Sequence, residues 1–254
     1  MSMLENIRAG LDRGELFVEY LPTMDLANGE CVGAEALVRW RRGEVVLTAS
    51  EFMPLVENTP LSGTLTYWVI DTAAAELGPW LNANPDVHIG INVPAEILGR
   101  GGLEYAAQRP GLSAHVGQIV LEITEHGIPD RLGLTALQSM AERGVRIALD
   151  DVMLSGTNLA LLTRCHLSMV KLSSALTGEV RLGLPAPQWL EGLRSLLQTS
   201  SLTVIAEGVE TQFQAQSLRA AGVQFAQGYL YSTPLRSREM FDFYAAHRAC
   251  VPKR

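Results

Sequence analysis

The sequence predicts an α/β fold, a modified TIM-type β/α barrel with an antiparallel first strand. Three observations favour this fold. Short apolar runs of β-forming residues recur along the 254 residues, helix-like stretches separate most of them, and a tight turn joins the first two. Barrels of this kind commonly contain about 250 residues in one domain. An open doubly wound sheet is the competing topology, because it also alternates strands with helices.

The first two apolar runs are predicted to form a hairpin. LFVEYL from Leu16 and CVGAEALVRW from Cys31 are joined by TMDLANGE, in which Asn28-Gly29 is a strong signal for a tight turn between antiparallel strands. The later runs are separated by stretches long enough for parallel crossovers. These runs are VHIGINV from Val87, QIVLEIT from Gln118, VRIALDD from Val145, SMVKL from Ser168, LTVIAEG from Leu202 and the shorter VQFAQGYL from Val223.

Helix-like stretches occupy the intervals between the strands. The N-terminal MSMLENIRAGLDRGE has the pattern of a charged amphipathic helix, and Gly222 stands where a glycine typically ends the helix TQFQAQSLRAAG. The other stretches are TLTYWVIDTAAAEL, GLTALQSMAERG and PQWLEGLRSLLQTS. No low-complexity linker or change in composition divides the chain. We therefore expect a single domain over residues 1–254.

Composition excludes several classes of function. The formal net charge of −7 leaves no broad basic surface, so long nucleic acid is not an expected partner. Neither GxGxxG nor GxxxxGK[ST] occurs where a nucleotide-binding fold would need it. Cys31, Cys165 and Cys250 are widely spaced and odd in number, which favours neither a disulfide framework nor a thiolate zinc site and fits a reducing cytoplasm. No run approaches the roughly 18 apolar residues of a membrane span, so none is expected.

Polar residues recur within or at the ends of the predicted strands. Taken alone, any one of them is as typical of a satisfied polar group in a core as of a functional site. Their repetition favours a site, because the carboxyl ends of barrel strands converge on one face. The set comprises Glu35, Asn92, Glu122, Asp150, Asp151, Lys171, Glu207 and Gln227.

Several carboxylates in one place require positive charge, because otherwise each raises the pKa of the others. Oxygen ligands without His or Cys favour Mg²⁺ or Mn²⁺, with Ca²⁺ as a non-productive occupant. Asp150 and Asp151 are the best candidates to bridge two ions, which demands that the strand bend between them, since adjacent strand residues face opposite sides. Two ions about 4 Å apart suit in-line phosphoryl displacement by water. Lys171 then fits as a partner of that water, and Glu207 as a ligand or general base.

At these residues the sequence resembles the EAL family of cyclic di-GMP phosphodiesterases, from about Leu11 to Leu235. Seven motifs in order carry the resemblance. They are GAEALVRW with Glu35-Ala36-Leu37, INVPA with Asn92, LEITE with Glu122 and Glu125, ALDD with Asp150 and Asp151, VKL with Lys171, AEGVET with Glu207 and Glu210, and QGYLYSTPL with Gln227.

The resemblance implies a phosphodiesterase that opens cyclic di-GMP to linear pGpG with two Mg²⁺ or Mn²⁺ ions. It assigns Lys171 to the nucleophilic water, and it also implies a homodimer. Sensor or cyclase domains often accompany such domains, and we expect any such domain to lie outside these 254 residues. The implied ion ligands are Glu35, Asn92, Glu122, Asp150 and Asp151, with Glu207 at the site; Leu37, Arg39 and Gln227 contact the substrate, and Glu125 and Glu210 support the surrounding loops.

One loop departs from the family pattern. Where the family usually reads DDFGTGYSSL, this chain reads DDVMLSGTNL from Asp150 to Leu159, so two glycines that allow unusual backbone conformations are replaced. Leu21, Ser173 and Thr233 are smaller departures, at positions where the family often has Gln, Asp and Arg. The ligands of the first ion are kept, whereas the second ion depends on Asp151. A non-catalytic cyclic di-GMP receptor therefore stays open as a second function, and a protein-interaction domain without nucleotide binding as a third.

Overall fold

The computed structural model of the protein describes residues 2–103, 113–124, 129–153 and 167–248. Within these ranges the chain alternates strands and helices along most of its length. The strands are β1 (Leu16–Asp25), β2 (Cys31–Arg42), β3 (Val45–Thr48), β4 (His88–Asn92), β5 (Ile119–Thr124), β6 (Arg146–Val152), β7 (Met169–Leu172), β8 (Thr203–Ala206) and β9 (Phe225–Ala226). The helices are α1 (Met3–Asp12), α2 (Ala49–Phe52), α3 (Pro60–Ala83), α4 (Arg131–Glu142), α5 (Ser174–Glu179), α6 (Gln188–Thr199), α7 (Gln212–Ala220) and α8 (Ser237–Ala246).

The strands close into a barrel. Their order in the sheet is β1-β9-β8-β7-β6-β5-β4-β2-β3, and β1 also pairs with β2, so that eight strands form the ring and β3 stays outside it. β1 runs antiparallel to both of its neighbours, whereas the pairs from β4 to β9 are parallel. The predicted barrel with an antiparallel first strand is therefore confirmed, and the open doubly wound sheet is wrong.

The hairpin of β1 and β2 forms where the turn signal placed it. Gly29 has a φ of 75°, a conformation that glycine adopts without strain, and its N–H donates to the carbonyl of Asp25. The ladder runs from the Leu16 and Trp40 pair to the Met24 and Cys31 pair. The hairpin thus fixes which side chains of β1 and β2 face the barrel interior.

Several elements differ from the sequence prediction. The run VQFAQGYL yields only the two-residue β9, because the chain leaves the ladder at Gln227, whose carbonyl accepts from the N–H of Val209. β3, α2, α5 and α8 were not predicted, since three of them are short and α8 follows the last motif. The predicted end of α7 is confirmed at Gly222, which has a φ of 94°.

The barrel interior is layered. Strand side chains alternate between faces, so the residue two positions before each polar strand-end residue points to the same interior. These preceding residues form one buried apolar cluster that supports the polar layer from below. The pairs are Val120 with Glu122, Ala148 with Asp150, Met169 with Lys171, and Ile205 with Glu207.

Outside the ring, the helices cover the sheet. A larger apolar cluster joins the outer faces of β1, β2, β4 and β5 to α3, α4 and α8. Among the described helices, even the 24-residue α3 lacks the combination of length and apolar character needed to cross a membrane.

His88 gives a pH dependence of folding stability that can be measured. Burial, and next the nearby charge of Arg146, lowers the pKa of its imidazole to about 3. An unfolded histidine has a pKa of about 6.5. Between these values the unfolded chain binds the extra proton, so stability falls as the pH falls through about 6.5 towards 3.

Between pH 7 and pH 5, His88 should lower the free energy of unfolding by an amount on the order of 2 kcal/mol, and we expect His88→Gln to abolish this loss. Urea unfolding of both proteins at the two pH values measures it. His247→Gln, which replaces an exposed histidine, is the matched control. Equal losses of stability on acidification in the wild type and in His88→Gln would contradict the prediction.

Candidate active site

A buried lysine lies at the centre of the polar layer. The side chain of Lys171 is 0% exposed, and its Nζ lies 2.8 Å from Glu35 Oε2, 2.8 Å from Glu122 Oε2, 2.8 Å from Glu207 Oε1 and 3.1 Å from Asp150 Oδ1. The four carboxylates come from four different strands or strand ends. The site thus depends on barrel closure, because only a closed ring brings these strands around one point.

The strand registers place the neighbouring ligand candidates side by side. Asn92 pairs with Glu122 across β4 and β5, at the carboxyl end of both strands. Asn92 Nδ2 donates to Glu35 Oε1 at 2.7 Å, which fixes the orientation of its amide. That bond leaves Asn92 Oδ1 as the atom that could bind a cation.

Gly90 provides space for one of these carboxylates. A Cβ atom at position 90 would overlap the carboxylate of Glu122, whose Oε1 is the nearest atom. Gly90 lies two residues before Asn92 on β4, so it faces the same interior. The absence of a side chain there lets the Glu122 carboxylate approach Lys171.

Burial and mutual charge set the protonation of the cluster. Burial, followed by the charge of Glu35, raises the pKa of Glu122 well above its ordinary value, and burial raises the pKa of Glu207 to about 8. Burial opposes ionisation of Glu35 too, but Lys171 and the hydrogen bonds to Glu35 hold its pKa below the usual range. Burial disfavours the charge of Lys171, yet the carboxylates, Asp150 foremost, raise the pKa of its ammonium group. Lys171 therefore stays charged.

One ammonium does not satisfy the cluster. An ammonium group has three protons, and Lys171 directs hydrogen bonds to Glu35, Glu122 and Glu207. Asp150 Oδ1, although close to Nζ, is buried and has no hydrogen-bond partner among the described residues. An unsatisfied buried carboxylate oxygen is costly, and a cation would satisfy it.

The donor set fits a hard divalent cation. Glu35, Glu122 and Asp150 each offer a carboxylate oxygen, and these oxygens all lie within 4.8 Å of one another. Oxygen ligands of this type suit Mg²⁺ or Mn²⁺. The residues present therefore fit a metal centre beside Lys171.

The strand bends between the adjacent aspartates, as the sequence required. Asp151 has a φ of 56°, and the register of β6 against β7 shifts between Leu149 and Val152. A positive φ is uncommon outside glycine, although aspartate tolerates it better than most residues. Asp150 points to Lys171, whereas Asp151 is exposed.

An open cavity of about 880 Å³ adjoins the cluster. Glu35, Leu37 and Asn92 line its inner end, and residues of α2, α3 and the segment after β4 line the rest. Arg39 Nε donates to Glu19 Oε2 at 2.9 Å, and Arg39 Nη1 donates to the carbonyl of Val38. The guanidinium is thus held at the end of β2, above the carboxylates.

The structure brings most of the predicted residues together. Glu35, Asn92, Glu122, Asp150, Lys171 and Glu207 meet in one cluster. Gln227 is buried and its Nε2 donates to Thr23 Oγ1 at 2.9 Å. Glu210 is exposed, and none of its contacts in the described part of the chain reaches the cluster. Glu125 and most of the DDVMLSGTNL loop lie outside the described residues.

Sequence reasoning missed Glu19, Thr23 and Gly90. Glu19 and Thr23 lie on β1, whose interior face follows from the hairpin register: Thr23 pairs with Gly33, and Glu19 pairs with Leu37. The register shifts by one residue at a bulge between Thr23 and Met24, so counting back from the Asn28-Gly29 turn would have placed both on the outer face. Gly90 alternates with Asn92 in HIGIN, and a glycine within a strand often marks a close approach of other atoms.

Comparison with known proteins identifies the family. The model of the EAL domain matches residues 4–234. The chain belongs to the EAL domain family.

Curated relatives of this EAL domain include phosphodiesterases. The chain is 29% identical over 245 residues to the probable cyclic di-GMP phosphodiesterase PdeB of Escherichia coli, covering 95% of the chain and 47% of PdeB. It is 28% identical to the bifunctional diguanylate cyclase/cyclic di-GMP phosphodiesterase MucR of Pseudomonas aeruginosa, covering 94% of the chain and 36% of MucR. An uncharacterized Mycobacterium tuberculosis protein is 32% identical, with 97% and 41% covered. The chain thus spans less than half the length of these relatives.

Solved structures confirm the fold. The MucR phosphodiesterase in complex with cyclic di-GMP has a TM-score of 0.83 and 29% identity, covering 94% of this chain and 100% of that one. The EAL enzyme Bd1971 in its cAMP-bound form has a TM-score of 0.85 at 24% identity, covering 94% of this chain and 69% of that one, which supports the fold alone.

Lys171→Met tests the role of the lysine in this EAL domain. Removing the ammonium leaves buried carboxylates without compensation, so we expect the free energy of unfolding without metal to fall by about 3–5 kcal/mol. Mn²⁺ should recover part of that loss, because it supplies charge to the same oxygens. Urea unfolding with and without Mn²⁺ measures both effects. Arg143→Met, which removes an exposed cation, should change the free energy of unfolding little. Equal losses of unfolding free energy in Lys171→Met and Arg143→Met would count against the prediction.

Gly90→Ala tests the space reserved for Glu122. The new methyl group displaces the carboxylate, and we expect a loss of about 1–3 kcal/mol in stability together with weaker Mn²⁺ binding. Calorimetric titration with Mn²⁺ and urea unfolding measure the two effects. The control is Gly192→Ala in α6, where a Cβ meets no neighbour and helix propensity favours alanine. Unchanged Mn²⁺ affinity in Gly90→Ala would refute the assignment.

Proposed function

We propose that this EAL domain is a metal-dependent phosphodiesterase that hydrolyses cyclic di-GMP to linear pGpG. The observation that carries the proposal is the carboxylate cluster around Lys171, in which Asp150 Oδ1 is buried and no described residue forms a hydrogen bond with it. The names of the relatives PdeB and MucR, and the cyclic di-GMP complex of MucR, support the choice of substrate.

The first ion would be held by Glu35, Asn92, Glu122 and Asp150, with Glu207 beside it. Asp151 is the candidate for a second ion, because it follows Asp150 across the bend. Bound Mg²⁺ or Mn²⁺ makes water a stronger nucleophile and stabilises charge on the phosphoryl oxygens, and Ca²⁺ would occupy the site without turnover. These ligand assignments extend the cluster geometry by analogy with the family.

The protein residues would position water and proton donors. Lys171 stays charged, so it can oppose negative charge on the reacting phosphate. Its three protons are directed to carboxylates, so it would hold a water only where a bound metal ion takes over one of those carboxylates. Glu207, whose pKa burial raises to about 8, is a carboxyl group that can exchange a proton near neutral pH. Exclusion of bulk water by the apolar layer below strengthens these interactions.

The substrate would lie over the carboxylates and in the adjoining cavity. Leu37 offers an apolar contact at the inner end of that cavity. Arg39 is oriented through Nε and Nη1, and its Nη2 group would reach a phosphate. Gln227 would shape the opposite wall, where its Oε1 is buried and no hydrogen-bond partner occurs within the described part of the chain.

A non-catalytic cyclic di-GMP receptor is the second candidate. It is favoured by the variant loop after Asp151 and by the exposure of Asp151 itself, since both bear on the second ion. We also propose that residues 1–254 form one domain that pairs as a homodimer in the cytoplasm. The buried free thiol of Cys31 is consistent with a reducing compartment.

Turnover separates the two candidates. Purified protein with Mn²⁺ is expected to convert cyclic di-GMP to pGpG, which chromatography detects. Glu35→Gln should lower kcat by more than about 100-fold, above the loss typical of a group that only orients a ligand. Glu191→Gln, an exposed carboxylate on α6, is the control. Tight binding of cyclic di-GMP without pGpG in Mn²⁺ or Mg²⁺ would select the receptor instead.

A further inference from the structure

One face of the β1–β2 hairpin leads from the carboxylate cluster to the outer rim of the barrel. The register pairs Leu21 with Glu35, Glu19 with Leu37, and Phe17 with Arg39. Opposed residues of antiparallel strands point to the same side, so these side chains share the face of Glu35. Arg41, two residues beyond Arg39, continues that face outward.

The outer end of this face is an aromatic ring flanked by two arginines. The guanidinium carbon of Arg41 lies 5.1 Å from the ring centroid of Phe17, and that of Arg236 lies 4.5 Å from it. Arg236 comes alongside β1 because Leu235 forms an antiparallel bridge with Tyr20. We call Phe17, Arg41 and Arg236 the rim cluster.

The rim cluster carries positive charge that the described part of the chain does not neutralise by ion pairing. On this face, Arg39 pairs with Glu19 at 2.9 Å, whereas no described carboxylate pairs with Arg41 or Arg236, both of which are exposed. Stacking on Phe17 restricts both guanidinium groups, so the two arginine side chains lose less conformational entropy when they bind a ligand.

The position of the rim cluster indicates which part of a substrate it could reach. Arg41 is six residues beyond Glu35, a separation of about 20 Å along a strand. The reacting phosphate must lie at the carboxylates, and Arg39 lies between them and the rim. The rim cluster therefore faces the far end of an extended dinucleotide, where a base lies.

We infer that Arg41 and Arg236 recognise the guanine base at the distal end of the substrate and select it against adenine. This inference rests on the proposed function. The arginine fork matches the two acceptors O6 and N7 of guanine, whereas adenine presents an amino donor beside N7, which opposes arginine. Guanidinium planes also stack on bases, and Phe17, whose ring centroid lies within 5.1 Å of both guanidinium carbons, acts as a positioning residue.

A thermodynamic cycle tests the inference by calorimetry with Ca²⁺, which avoids turnover. The ligands are cyclic di-GMP and cyclic di-AMP, which places adenine at the rim in either orientation. We expect Arg41→Ala with Arg236→Ala to weaken the binding of cyclic di-GMP by about tenfold, the size of one bidentate arginine contact, and to leave the binding of cyclic di-AMP nearly unchanged. The preference of the wild type for cyclic di-GMP over cyclic di-AMP should therefore fall by the same factor in the double variant.

Arg42→Ala is the matched control. Arg42 is the next residue on β2, but it lies on the opposite face, with its guanidinium carbon 5.7 Å from the Trp40 ring centroid. Arg42→Ala removes one positive charge from the same strand without touching the rim cluster, so the affinity for cyclic di-GMP and the preference for it should stay as in the wild type. The inference would be overturned if Arg42→Ala weakened the binding of cyclic di-GMP as much as the double variant does. It would also be overturned if the double variant kept the wild-type preference for guanine over adenine. A wild type that binds no cyclic di-GMP would overturn the proposed function and the inference together.

Discussion

The buried ammonium of Lys171 is the constraint on which the rest of the site depends. Four carboxylates within 3.1 Å of Nζ would repel one another in an apolar barrel without it. The chain has only one other lysine, Lys253, and meets its remaining need for cations with arginine. A compact ammonium with three protons fits between carboxylates where a planar guanidinium would not, so the residue type follows from the geometry.

Much of the fold and the site could be predicted from local patterns. Alternation in short runs identifies strands, and a polar residue at the end of an apolar strand identifies a side chain facing the barrel mouth, as for Glu122 and Lys171. Proximity could not be predicted in this way, because it arises from closure of the ring. Glu19 and Thr23 were missed for a related reason: they lie on the one antiparallel strand, where the interior face depends on hairpin register.

The bend after Asp150 lies between the part of the site that matches the EAL pattern and the loop that departs from it. Asp150 continues the regular strand and reaches Lys171, whereas Asp151 has a positive φ, which few residues other than glycine adopt. Met153 of that loop accepts a hydrogen bond from Ser173, the residue that caps α5. Two of the positions at which this chain differs from the usual EAL pattern are therefore in contact, and they should be considered as one change.

The first strand closes the barrel through two strand pairings of very different length. β1 makes an extended ladder with β2 but pairs with β9 at only two positions, Met24 with Ala226 and Asp25 with Phe225. The side-chain bond from Gln227 to Thr23 crosses this narrow junction and joins the last strand to the first. Gln227 thus links distant parts of the chain, in addition to the role in substrate binding that we propose for it. Loss of activity on replacing it would not by itself show that it touches a ligand.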